Sequence, residues 1–577
     1  MKKKYLMFLS ILPAFLWIVL IYYKTGILFE TNDDRYISEI LSGALTGTPT
    51  AHTTYVNYLL CLPLMFLYRI TANIAWYGIL LIVAQVLCYS ILIYAFYTKW
   101  KLYSLLFFPG VLCSGLYITG FLQYTSTAAL LAVTGYVALL MFSDSKTKYS
   151  IFFLCELFAF LLRYQAMLMI QPLGLLTFYG LLLTKDVSDS KDTKMSIRSF
   201  FKNNLHPTLF PAVLLFFTML IGLLGNQLGY HSSDWKEYIR FNDARTELLD
   251  YYGTPDYSSA KSVLDNYNVS EAEYLSFCNL TILEGNISAD CLQELAALSK
   301  EQYYSIHNPS ITDSITSSIT NYLSDGHWLI NRIPIILWIG SIIALIVLHK
   351  FTYIIPLIGL FLGRTITWSY LLYRGRIPSR VSIPIYICEI IFLIVIFSKI
   401  LPNTSAFRKP SPQFAIATLT LGLLFMAIAS KSCLMQYSYV KQTNQTQTTF
   451  DQGFEELQDY CLSHPDNIYL IEAQALGYYK GNALSPAMYQ PRNSLASGCW
   501  YSQSPHMVNA VSSYIGNTKA TETASGNTSL YFIAADGEEE RITPILTYLS
   551  EYTGHSYIVS DQFTVSHGGT YLVYCYR

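Results

Sequence analysis

Along its first three quarters the chain alternates long apolar runs with short charged breaks. A bilayer core about 30 Å thick needs about 20 apolar residues per helix, and runs of that kind recur. The first, inside MKKKYLMFLSILPAFLWIVLIYY, follows three lysines but is too long for a signal peptide and lacks a small-residue cleavage site. It predicts an uncleaved span with a cytoplasmic amino terminus. Further spans are predicted at about 74–97, 103–120, 124–142, 149–164, 166–184, 207–225, 328–349, 351–373, 379–400 and 413–430, about eleven in all. YVNYLLCLPLMFLYRI is short and interrupted by Pro63, and reads as a helix in the outer interface or packed in the first loop. TKWK, SDSKTK, KDVSDSKDTKMSIRSFFKNN, HK and KILPNTSAFRKP, which includes Asn403, then fall in the cytoplasm, and the carboxyl terminus outside.

Two stretches break the membrane pattern. Residues 226–327 show helical spacing, as in WKEYIRFNDARTELLDYY and ADCLQELAALSKEQYYSI. In residues 431–577, IYLIEA, SLYFIAA, SYIVSDQF and TYLVYCY read as strands, and FDQGFEELQDYCL and RITPILTYLSEY as helices. The expected organisation is a membrane core (1–225), a helical extracytoplasmic loop (226–327), later spans (328–430) and an extracytoplasmic α/β domain (431–577).

Composition agrees: 53% hydrophobic and 13% charged residues exclude a soluble protein of this length. The net charge of −1 gives no sign of a nucleic-acid partner. No phosphate-binding loop is present, which argues against an ATP-driven pump. The eleven cysteines have no metal-type spacing; Cys278, Cys291, Cys461 and Cys499 lie in external regions, where disulfides are an option.

The most informative stretch is ETNDDRYISEI, directly after the first span. Tyr36, Ile37, Ile40, Leu41, Ala44 and Leu45 form an apolar stripe, predicting a short amphipathic helix on the membrane surface with Asn32, Asp33 and Asp34 at its start. Helix capping would explain one such residue. Three exceed that need, and a carboxylate at this position suits a general base between a lipid-borne donor and a water-borne acceptor.

A first span followed by an external acidic pair, Arg-Tyr, a surface helix and the turn TGTPTAHTTY resembles the GT-C superfamily of membrane glycosyltransferases. NDDRYISEILSGALTG is similar to the opening of bacterial aminoarabinose transferases and of protein O-mannosyltransferases. One residue is missing between the acidic pair and Arg35 relative to the former, so the base is Asp33 or Asp34, with Asp33 preferred. The resemblance implies a polyprenyl-phosphate-linked sugar donor, a glycan, lipid or protein acceptor, inversion at the anomeric carbon, and a bacterial plasma membrane.

A leaving phosphate requires positive charge, and Arg supplies it in a fork that fits phosphate. Arg374, Arg376 and Arg380 lie at the outer end of two spans, against the positive-inside rule; Arg380 and Pro384 resemble a superfamily pattern that opens a late span. Arg163, in LLRYQAMLMIQPLG, is a second external cation. His52, Tyr55, Gln123, Tyr124 and Arg245 are weaker substrate-binding candidates, and Asn242 and Asp250 accompany Arg245. An acidic pair can hold Mg²⁺ or Mn²⁺, but no second acidic cluster is evident and metal-independent transfer is expected. The other readings are a flippase or transporter of lipid-linked saccharide, which needs polar groups within its spans, and a polysaccharide polymerase or ligase.

Overall fold

A computed structural model describes residues 2–189, 205–283, 285–307, 310–324, 326–401, 412–477, 479–487, 493–510, 530–537 and 539–576. Most of the basic segments at 185–204 and 399–410, with Asn403, lie outside them. The architecture is a polytopic helical membrane protein with a carboxyl-terminal α/β domain. Among the described residues nine helices are long and apolar enough to cross a membrane, against the expected eleven spans, and one of the nine, Ser145–Thr184, covers two of those spans.

One expected span is broken up, while two others hold as the arms of a hairpin. The run 103–120 is not one helix but three short ones, Lys101–Leu106, Phe108–Ser114 and Leu116–Gly120. Gly110 and Gly120 sit where a Cβ would overlap Phe425 and Val440, so close packing replaces helical continuity. The runs 149–164 and 166–184 belong to one helical stretch, Ser145–Asp189, broken at Arg163, whose backbone is extended (φ −160°, ψ 98°). The stretch doubles back there: Gln171 Nε2 donates to Glu156 Oε2 at 2.9 Å, although a straight helix would part them by about 22 Å. The Tyr58–Ile70 helix is too short to span and is capped by Asn57, whose side chain accepts from Leu59 N at 3.1 Å.

The large loop is helical, with a core of its own around Leu248, Leu264, Phe277 and Leu292. The last membrane helix runs on without interruption from Pro412 to Ser463, through the expected boundary at 430, and packs on the carboxyl-terminal sheet. That sheet has the order β4-β3-β5-β7-β6, with β3 Ile468–Ile471, β4 Ser494–Ala496, β5 Leu530–Ala535, β6 Tyr557–Thr564 and β7 Thr570–Tyr576. β3 is parallel to β4 and β5, whereas β7 is antiparallel to β5 and β6. Strand periodicity divides the core: Tyr469 and Ile471 face Phe454 and Leu457, while Leu470 faces Ile545 and Leu549 of the Glu539–Thr553 helix. None of the eleven cysteines forms a disulfide.

This domain docks on the start of the chain. Ala483 N donates to Ile27 O at 3.2 Å, and Gly78 lies so close to the Ala483 carbonyl that no Cβ fits.

Candidate active site

A short parallel pair, β1 (Leu28–Phe29) with β2 (Phe121–Leu122), holds two helix starts side by side. One is Tyr124–Met141; the other is Asn32–Ser42, the helix expected on the membrane surface. This helix is amphipathic as expected, but it does not lie open on a surface: Arg35, Ser38, Glu39 and Ser42 of its polar face are buried along with the apolar stripe, because other segments pack over both faces. Its cap residue, Thr31, makes no capping bond to the helix's amides.

The acidic pair divides. Asp34 is fully buried; it accepts from Tyr77 OH at 2.9 Å, from Tyr124 N at 3.2 Å and from Thr31 Oγ1 at 3.2 Å. It therefore caps the neighbouring helix and ties the two starts together. Asp33, one position earlier, is half-buried, makes no side-chain hydrogen bond among the described residues, and opens onto a cavity of about 640 Å³. Burial raises its pKa above the ordinary 3.8, Arg380 and Arg163 pull it down, and Asp250 pushes it up.

The same cavity is lined by Arg163, Arg376 and Arg380, with Tyr55, Tyr124 and Asp250. Arg163 stands at the hairpin turn, its guanidinium 5.2 Å from the Tyr55 ring centre and 5.5 Å from that of Tyr124. Arg380 lies in the first turn of the Ser379–Ile400 helix, and its carbonyl accepts from Ser126 Oγ at 3.2 Å. Arg376 pairs with Asp250 at 3.4 Å. Leu168, Ile366 and Tyr370 add an apolar wall and are themselves exposed on the outside of the helical bundle.

The other candidates sit elsewhere. Arg374 does not line the cavity; it lies 4.7 Å over Tyr251 and 3.4 Å from Tyr252 OH. Arg245 is buried behind the cavity wall, bonded to Asn242 Oδ1 and Thr246 Oγ1 at 3.1 Å each. Gln123 is fully buried and caps Tyr124–Met141 through Thr125 N and Ser126 N. His52 stacks on Trp235 at 4.6 Å and bonds Gly229 O through Nε2 at 3.0 Å. Burial and the neighbouring His506 lower its pKa to about 4, which suits a neutral structural ring. Among the described residues no three His, Cys, Asp or Glu side chains gather as a metal site.

Glu30 was not singled out by its sequence. Its carboxylate accepts from Tyr117 OH at 2.9 Å, and its Oε2 is enclosed. Burial raises its pKa to about 7, against the pull of Arg380, Tyr117 and Lys480. Only its position within an acidic stretch could have drawn attention to it, since Lys480 and Arg380 are remote in sequence.

No family model and no curated protein matches the chain. A structure search finds similarity to the crystal structure of ArnT from Cupriavidus metallidurans bound to undecaprenyl phosphate, with 9% identity and a TM-score of 0.38, over 98% of this chain and 97% of that one.

Proposed function

We propose that the chain is a membrane glycosyltransferase of GT-C type that moves a sugar from a polyprenyl-phosphate-linked donor to an acceptor hydroxyl. One observation carries this reading: an Asp33 carboxylate without a hydrogen-bond partner among the described residues and three guanidinium groups face one cavity that also has an apolar wall. Arginines suit a phosphate, and the apolar wall suits the first isoprene units of a lipid. Asp33 takes the proton of the acceptor hydroxyl. The freed oxygen attacks the anomeric carbon from the side opposite the phosphate, so configuration inverts. The bond from that carbon to the phosphate oxygen breaks, and its electron pair leaves with the polyprenyl phosphate. Arg380 and Arg163 meet the charge that develops there. Arg376, matched by Asp250, orients rather than neutralises.

We assign the base to Asp33 rather than Asp34 because both Asp34 oxygens already accept bonds. With the guanidinium groups supplying positive charge, the step needs no divalent cation. The site opens on the outer membrane face in this reading, in a bacterial plasma membrane.

Within the spans, Arg364 and Glu389 pair at 3.4 Å, more charge there than the sequence led us to expect. Both are fully enclosed; Glu389 also accepts from Tyr322 OH and from Trp338 Nε1 (2.9 Å), and Arg364 Nη2 donates to Ser318 O at 2.8 Å. Two opposite charges that face each other, enclosed on all sides and away from any described cavity, suit a fixed strut better than a transport path.

The test is release of free polyprenyl phosphate from polyprenyl-phosphate hexose in reconstituted vesicles. Asp33→Asn should lower it by about 10²–10⁴. Equal release by variant and wild type overturns the proposal, and passage of the labelled lipid between leaflets without release favours the flippase.

A further inference from the structure

The carboxyl-terminal domain holds a separate cavity of about 150 Å³, and strand order explains where it lies. From β3 the chain turns to β4 on one side; from β5 it turns to β6 and β7 on the other. β3 and β5 are parallel neighbours, so their connections diverge and leave a crevice beyond their carboxyl ends. Open α/β sheets bind ligands at such a point. Here Ala535 ends β5, Ala475 follows β3, Arg541 begins the helix after β5, and Tyr571 pairs with Ala535; all four line the cavity.

The walls are aromatic and one edge is polar. Tyr479 stacks on Phe454 at 4.2 Å, and Phe450 lies 5.0 Å from His567. The polar edge is Arg541, His567 and Thr570. Arg541 pairs with Glu472, which is fully buried just after β3. Its charge is thus matched, and an anionic ligand would have to draw it away and strand a buried carboxylate. Drug-sized and nucleotide-sized ligands occupy pockets of about 300 Å³ or more, which this cavity does not reach. A compact, neutral molecule with apolar faces and a hydroxyl rim fits both the walls and the edge.

We propose that this crevice binds one neutral pyranose ring, stacked on its aromatic walls and hydrogen-bonded at its Arg541–His567 edge. That such a ring belongs to a glycan acceptor rests on the transfer reaction proposed above; the binding itself does not. The site also reaches the catalytic helix. The guanidinium of Arg35, two positions from Asp33, lies 4.6 Å from the ring centre of the wall residue Tyr479. His567 is held by two glycines, since a Cβ on Gly453 or Gly569 would overlap its ring.

The experiment is saturation-transfer NMR on the full chain in micelles of a detergent without a sugar headgroup. The probes are the methyl pyranosides of glucose, galactose, mannose and N-acetylglucosamine. At least one should receive saturation, and Phe450→Ala, which removes a partly exposed wall, should reduce it about fivefold. Gly569→Ala, whose Cβ would overlap the His567 ring and displace the polar edge, should do the same, while Asp33→Asn should leave it unchanged. No transfer to any probe overturns the proposal, as does transfer that persists in both cavity variants. Transfer abolished by Asp33→Asn alone assigns the ring to the other cavity and overturns it too. Binding that survives while Asp33-dependent release fails refutes only the transfer reaction.

Discussion

Asp34→Ala should weaken the fold, whereas Asp33→Asn should remove the chemistry and spare the fold. Asp34 accepts from Tyr77 OH and Tyr124 N, both buried, and from Thr31 Oγ1, which is half-buried and can turn to water. Alanine leaves the two buried donors unpaired. Each costs about 1–3 kcal/mol, so the loss is about 2–6 kcal/mol, a large part of a typical domain's stability. Asp34→Asn keeps one acceptor oxygen and should cost only about 1 kcal/mol. Asp33 makes no side-chain hydrogen bond among the described residues, so Asp33→Asn should change stability by less than about 0.5 kcal/mol while lowering turnover by about 10²–10⁴. Thermal unfolding in micelles gives the stabilities, and lipid-phosphate release below all the midpoints gives the turnover. Wild-type melting of Asp34→Ala would refute the assignment, and so would Asp34→Asn that melts normally yet is as inactive as Asp33→Asn.

Other expectations concern charge and packing. Because burial leaves Asp33 above 3.8 against the pull of Arg380 and Arg163, the acidic limb of kcat/KM should lie above that pH. Arg163→Ala removes part of the pull and should move the limb higher; a pH–rate profile that shifts down contradicts this. The folded protein holds the Glu30 proton more tightly, at about 7 against 4.5, so this group's contribution to stability falls as pH rises from about 4.5 through about 7. Glu30→Gln should flatten the melting temperature across that window, and an unchanged slope counts against it. Arg364→Met strands the Glu389 charge and should cost about 3–5 kcal/mol, most of it recovered by adding Glu389→Leu, as unfolding of single and double variants will tell. Turnover should survive EDTA; loss restored by Mg²⁺ would show that the guanidinium groups do not suffice.

The local pattern of the chain determined the membrane class, the amphipathic helix after the first span and the period-two strands of the last domain, because these depend on residues a few positions apart. It also marked Asp33, Asp34 and the late arginines as out of place in a simple bundle. It could not divide them. Adjacent helical residues point about 100° apart, and only the neighbours that surround the helix make Asp34 a buried strut and leave Asp33 open to a cavity. Likewise Arg374 meets Tyr251, Arg376 meets Asp250, and Arg380 influences both Asp33 and Glu30, choices set by a loop more than a hundred residues away and by the first turn of the chain. The fold at Arg163, the broken 101–120 passage and the reach of Lys480 to Glu30 are decided by packing between distant segments. Periodicity is a property of neighbours in sequence; a cavity belongs to neighbours in space.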